Sequence, residues 1–136
     1  MRRLLPLLAA SALLLVGCAA QKRSDTLTTT LNAYAGAVRW NGLQSAVSFV
    51  DPEVLKAHPP TNLDLARYQQ VTVTDYDDGN GPTPVSDTEV RQTARISFVN
   101  KHTQVERSVV QQQLWRYDEK THRWWLESGP PNIQQD

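Results

Sequence analysis

Reactive side chains are few in this chain. Its 136 residues include one cysteine, Cys18, and three histidines, His58, His102 and His122. A thiol can serve as nucleophile, metal ligand or attachment point, and its neighbours decide which. Cys18 follows Leu15-Val16-Gly17 at the end of an apolar run, and the sequence offers no second cysteine to pair with it. Each histidine sits beside a predicted turn, distant from the others and without cysteine partners or an H-x-x-x-H spacing. Metal sites are usually announced by such clusters, so one here would need long-range convergence. No glycine-rich phosphate loop, nucleophile elbow or paired-carboxylate motif is present. The expectation is no catalytic set, no cofactor and no metal, with Cys18 as a point of attachment.

The residues before Cys18 suggest what is attached. Arg2 and Arg3 form a short basic start, and Leu4 to Val16 is apolar apart from Pro6 and Ser11, the layout of a secretory signal. A membrane-spanning helix needs about 20 apolar residues, whereas this run of 13 gives way to Gly17, Cys18 and the polar Gln21-Lys22-Arg23. Leu15-Val16-Gly17-Cys18 resembles the lipobox of bacterial lipoproteins: aliphatic, tolerant, small, cysteine. That resemblance implies diacylglyceryl transfer to the Cys18 thiol, cleavage just before it and acylation of the new amino terminus. Two acyl chains, at about 0.8 kcal/mol per buried methylene, hold a protein stably where one does not. Ala19 occupies the position where an aspartate often signals inner-membrane retention in such lipoproteins, so an outer-membrane address facing the periplasm is implied.

The expected division is a signal peptide over 1–17, lipidated cysteine and short extended tether over 18–25, and one domain over 26–136. Removing residues 1–17 from the 136 leaves 119, long enough to bury roughly two-thirds of the unfolded surface. Without Arg2 and Arg3, 12 basic side chains face 14 acidic ones, a net of −2. Nothing in that balance calls for nucleic acid.

The elements follow from periodicity. Asp25 reads as an N-cap, and Leu27, Leu31, Tyr34 and Val38 recur at four, three and four, the stripe of an amphipathic helix. Asn41-Gly42 interrupts it; Leu43, Ala46, Val47 and Val50 suggest a shorter helix. Asp51-Pro52 starts one more turn to Ala57 before His58-Pro59-Pro60 stops it. Beyond this broken helical layer, residues 26 to 57, the chain reads as strands: Tyr68 to Asp77, Asp87 to Asn100, Gln104 to Tyr117 and His122 to Ser128. Val90, Ala94, Ile96 and Phe98 alternate with Arg91, Thr93, Arg95 and Ser97, giving one buried and one wet face. The fold class is therefore α+β: a broken N-terminal helical layer packed on a curved antiparallel sheet of about four strands.

This order resembles the nuclear transport factor 2-like fold, in which a curved sheet wraps an N-terminal helix. AVRWNGLQSAVSFVDPEV (Ala37 to Val54) looks like the helix-break-helix opening of small lipoproteins of that class. QQQLWRYDEKTHRWWLESGPP (Gln111 to Pro131) resembles their closing hairpin. Proteins of this fold include isomerases, dehydratases, carriers and dimerisation modules, so the resemblance carries a fold and no single function. Its enzymes place carboxylates, histidines or tyrosines inside the cone, which makes Asp75, Tyr76, Asp77 and His102 the positions to inspect. Aspartates beside a Gly/Pro loop also commonly accept backbone hydrogen bonds.

Four tryptophans, Trp40, Trp115, Trp124 and Trp125, supply core or contact surface. Trp124 and Trp125 are adjacent and must point to opposite faces of a strand. The outer indole is either covered by an arginine stem, such as Arg116 or Arg123, or marks a partner surface. Gln111, Gln112 and Gln113 place amides on both faces, and the inner ones need partners. The expected function is a non-catalytic, lipid-anchored envelope domain making protein contacts. The alternative is a ligand binder or isomerase-like protein using a pocket between the first helix and the concave sheet.

Overall fold

The computed structural model describes residues 5–134, with side-chain surroundings from Leu15 onward. Arg2 and Arg3 of the signal-like start lie outside the described residues. Helix α1 runs over Leu5–Asn41. It extends further back than expected: Asp25 is not a cap, and 18–25 is helical rather than an extended tether. The physical reason is composition, since Ala19-Ala20-Gln21-Lys22-Arg23 are strong helix formers and Gln21 Nε2 donates to Asp25 Oδ1 at 2.9 Å across one turn. The expected stripe faces inward, with Leu31, Tyr34 and Val38 buried and Leu27 packed beside them.

Gly42, at φ +93°, ends α1; a Cβ there would also stand 2.7 Å from Gln44 Oε1. The next segment, Leu43–Phe49, is a 3₁₀ helix rather than an α-helix. Its three-residue repeat places Leu43 and Ala46 one above the other, and both are buried. Asp51 then caps α2 (Pro52–Ala57), accepting from the Glu53 N–H at 2.8 Å.

The helical layer does not stop at residue 57. Helix α3 spans Asn62–Gln69 and takes in Tyr68 and Gln69, which the sequence reading placed in a strand. Thr61 and Asp64 form a reciprocal capping box that starts it. Tyr68 anchors it by donating its phenolic O–H to the Pro131 carbonyl at 2.5 Å.

The strands are β1 (Val71–Asp77), β2 (Thr83–Pro84), β3 (Glu89–Asn100), β4 (Glu106–Asp118) and β5 (Arg123–Leu126). They form one antiparallel sheet in the order β1-β3-β4-β5, with the two-residue β2 also pairing β3. β3 and β4 make the long hairpin expected from their patterning, in register from Glu89 opposite Arg116 to Val99 opposite Glu106. Val90, Ala94, Ile96 and Phe98 of β3 are all buried, and a register shift between Val73 and Asp75 bends β1. The sheet curls around α1, and Tyr34, Val38, Leu43, Ile96, Trp115 and Leu126 fill the space between them.

Two contacts fix the diagonal of α1 across the sheet. Trp124 Nε1 on β5 donates to the Arg23 carbonyl at 3.0 Å, and Arg39 Nη1 donates to the Val73 carbonyl on β1 at 2.9 Å. The helix thus begins its packing at one sheet edge and ends it at the other. Among the described residues, no helix is long and apolar enough to cross a membrane.

Candidate functional site

Cys18 is exposed and free on α1. Among the described residues, this part of the helix is tied to the sheet at Arg23, five residues on, a helical rise of about 7.5 Å. Anything attached to the thiol therefore lies close to the body of the domain.

Inside the curl, the amides expected to need partners have found one another. Tyr34 Oη donates to Gln111 Oε1 at 2.9 Å. Gln113 Nε2 donates to Gln111 Oε1 at 3.0 Å and to Tyr76 Oη at 2.9 Å. Gln113 Oε1 accepts from Trp115 Nε1 at 2.9 Å and from Gln92 Nε2 at 3.4 Å. Edge-on aromatic contacts from Tyr34 to Phe49 and Trp115, both 5.2 Å between centroids, close the space around this network. Gln112, on the outer face, accepts instead from Thr93 Oγ1 at 2.8 Å.

Burial pushes the Tyr34 phenol far above its ordinary range, and Tyr76 shifts the same way for the same reason. Both remain neutral hydrogen-bonding groups, so the network orders the core and contains no general base. Gln92 Oε1 in the network is buried without a partner, as is Thr74 Oγ1 at the β1 register shift.

The residues singled out for acid–base chemistry do not converge. Tyr76 points into the network, while Asp75, its neighbour on the strand, is exposed on the other face. Asp77 accepts from the Gly79 N–H at 2.8 Å, the turn role open to an aspartate there. His102 is exposed in the β3–β4 turn, His58 closes α2, and His122 takes φ +52° in the β4–β5 turn with its Nδ1 3.1 Å from Tyr117 Oη. Among the described residues no three His, Cys, Asp or Glu side chains group as a metal site would require.

Trp115 and Trp124 are core, and Trp125 faces outward as strand alternation demands. Its cover is Arg123, whose guanidinium lies 4.0 Å from the ring centroid. Trp40 is the exposed aromatic, 76 % accessible beneath Arg39 at 4.3 Å.

Arg116, the other arginine considered as cover, has a role that sequence reasoning missed. Its Nη2 donates to Asp51 Oδ2 at 2.8 Å and its Nε to Glu127 Oε1 at 2.9 Å. Hydrogen bonding from the Glu127 carboxyl, together with the Glu53 N–H and Arg116, holds Asp51 below the usual carboxylate range. Burial, and then the adjacent Asp51, raises Glu127. Two carboxyls thus meet one guanidinium, and their affinities for a proton are pushed apart. The cluster clasps the start of α2 to the last two strands, beside the bond from the Asp51 N–H to the Leu126 carbonyl at 3.1 Å. Only the capping motif at Asp51 was legible in sequence; its partners come from β-sheet register.

No family model, curated protein or solved structure matches this chain.

Proposed function

We propose that this chain is a lipoprotein of the bacterial cell envelope, acylated at Cys18 and facing the periplasm from the outer membrane, whose domain acts by protein contact rather than catalysis. The observation that carries the anchoring is Leu15-Val16-Gly17-Cys18 behind a basic and apolar start. An exposed, unpaired Cys18 close to the first point of packing agrees with it. A nuclear transport factor 2-like relationship remains part of this reading, supported by a helix enclosed in a curled sheet.

The contact role draws on the interior and the surface together. The volume between α1 and the sheet is taken by side chains that bond to each other, which argues against the alternative of a reactive pocket there. Trp40 meanwhile stands exposed at the far end of α1, the kind of side chain that anchors interfaces. Radiolabelled palmitate incorporation and fractionation of Cys18→Ser test the anchoring. Label in the parent protein and a soluble variant are expected; an unlabelled parent, or a variant that stays with the membrane, would sink it.

A further inference from the structure

The sheet ends at β1, and the outer edge of that strand forms one wall of a groove of about 410 Å³. The Gln70 carbonyl accepts from the Lys101 N–H at 2.8 Å, so Gln70 and Thr72 face β3, and Val71 and Val73 turn their main-chain groups the other way. Arg39 occupies the Val73 carbonyl, while the N–H and C=O of Val71 meet no other backbone group among the described residues. An open edge of this kind can take an extended peptide as one more strand.

The facing wall is the end of α1, with Arg39 and the exposed Trp40. The guanidinium that ties α1 to β1 also lies over the Trp40 ring at 4.3 Å, so one side chain sets both walls. Its charge is unanswered: among the described residues neither Arg39 nor Lys101, which also lines the groove, is in an ion pair, and no carboxylate lines it. A guanidinium offers five N–H donors, and those of Arg39 beyond the Val73 bond have no hydrogen-bond partner among the described residues. The whole chain balances 14 basic against 14 acidic side chains, so the positive excess here is local.

We propose that this groove binds an acidic segment of a partner protein in extended form. The segment pairs with β1 at Val71, sets carboxylates against Arg39 and Lys101, and lays an apolar side chain on Trp40. This rests on the contact role of Trp40 and names the chemistry of what Trp40 contacts. Alternation along a strand supplies both kinds of side chain, one to each face.

The test is a titration of the full chain with a five-residue peptide alternating valine and glutamate, acetylated and amidated at its ends, followed by the Trp40 indole N–H resonance. Saturable shifts are expected, with the peptide of valine and glutamine binding at least about tenfold more weakly. The Val71 amide should gain protection from hydrogen exchange. Lys101→Glu should weaken the acidic peptide by about fivefold, while Lys120→Glu in the β4–β5 turn, the same change of charge, should not. An unmoved indole, equal binding of the glutamine peptide, an unprotected Val71 amide, or equal loss in both variants would each overturn the proposal. An inert peptide with a crosslink still trapped at residue 40 in cells would sink the acidic partner and keep the contact role; a bound peptide with no crosslink would do the reverse.

Discussion

Tyr34 on α1 and Gln111 on β4 lie 77 residues apart and meet through a 2.9 Å hydrogen bond inside the curled sheet. This bond fixes the rotation of the helix as well as its burial, because only one face of α1 can present a phenol to that amide. Tyr34→Phe removes the donor and leaves Gln111 Oε1 with the Gln113 amide, so a loss of about 1 kcal/mol is expected. Gln113→Leu strips partners from Trp115, Tyr76 and Gln92 together and should cost about 2–3 kcal/mol. Urea midpoints at constant slope measure both; the reverse order would mean that the network is not the organising feature.

The Arg116 clasp predicts a pH dependence of definite sign. Asp51 is lowered, so its contribution is present above its unfolded value and lost as pH falls through the folded one. Glu127 is raised, so its contribution is present below its unfolded value and lost as pH rises through the folded one. Stability from the pair is therefore greatest between the two folded values. Glu127→Gln should remove the decline on the alkaline side and keep that on the acid side. Denaturation midpoints from acid to neutral pH would show it, and an unchanged alkaline limb would refute the upward shift of Glu127.

Loss of the clasp itself should be modest. Arg116 is 41 % exposed, and solvent screening limits Arg116→Ala to about 1 kcal/mol. A thermal melt showing no difference from the parent would mean that the clasp does not hold α2 to the sheet.

Helix α3 rests on its first turn. Thr61→Ala removes the side chain that accepts from the Asp64 N–H at 3.1 Å and should cost about 1 kcal/mol. Hydrogen exchange is the discriminating measurement: protection should fall in 62–69 and hold in β3 and β4. Uniform loss along the chain would mean that α3 does not open separately.

A photocrosslinking residue placed at Trp40 should trap an envelope protein in cells, and one at the exposed Gln112 should not. Trp40→Ala should change stability by less than about 0.5 kcal/mol, as expected for an exposed position. Absence of any adduct at residue 40 would remove the main support for a contact role there.

The parts legible in sequence were those written in local period and punctuation. The Leu27, Leu31, Tyr34, Val38 stripe, the Gly42 break, the Asp51 cap and the alternation of β3 all appear in the fold as read. Two local errors had local causes. Asp25 looked like a cap, but the helix formers before it carry α1 through. The capping box at Thr61 went unread, and the Val- and Thr-rich run after it drew Tyr68 and Gln69 into a strand. The Arg116 clasp was illegible for another reason: its members come from separate elements and meet only through register and curl.

The bond between Trp124 and Arg23 spans 101 residues, and this separation sets an order of events. The β3–β4 hairpin joins neighbours in the chain and can close quickly, whereas long-range contacts are slow to form. An amphipathic helix owes most of its stability to the surface that it covers. For a chain emerging amino terminus first, the apolar stripe of α1 must wait for nearly the whole sheet to be made. The helix synthesised first is the one buried last, and during that interval Leu27, Leu31, Tyr34 and Val38 are a surface for a chaperone to hold.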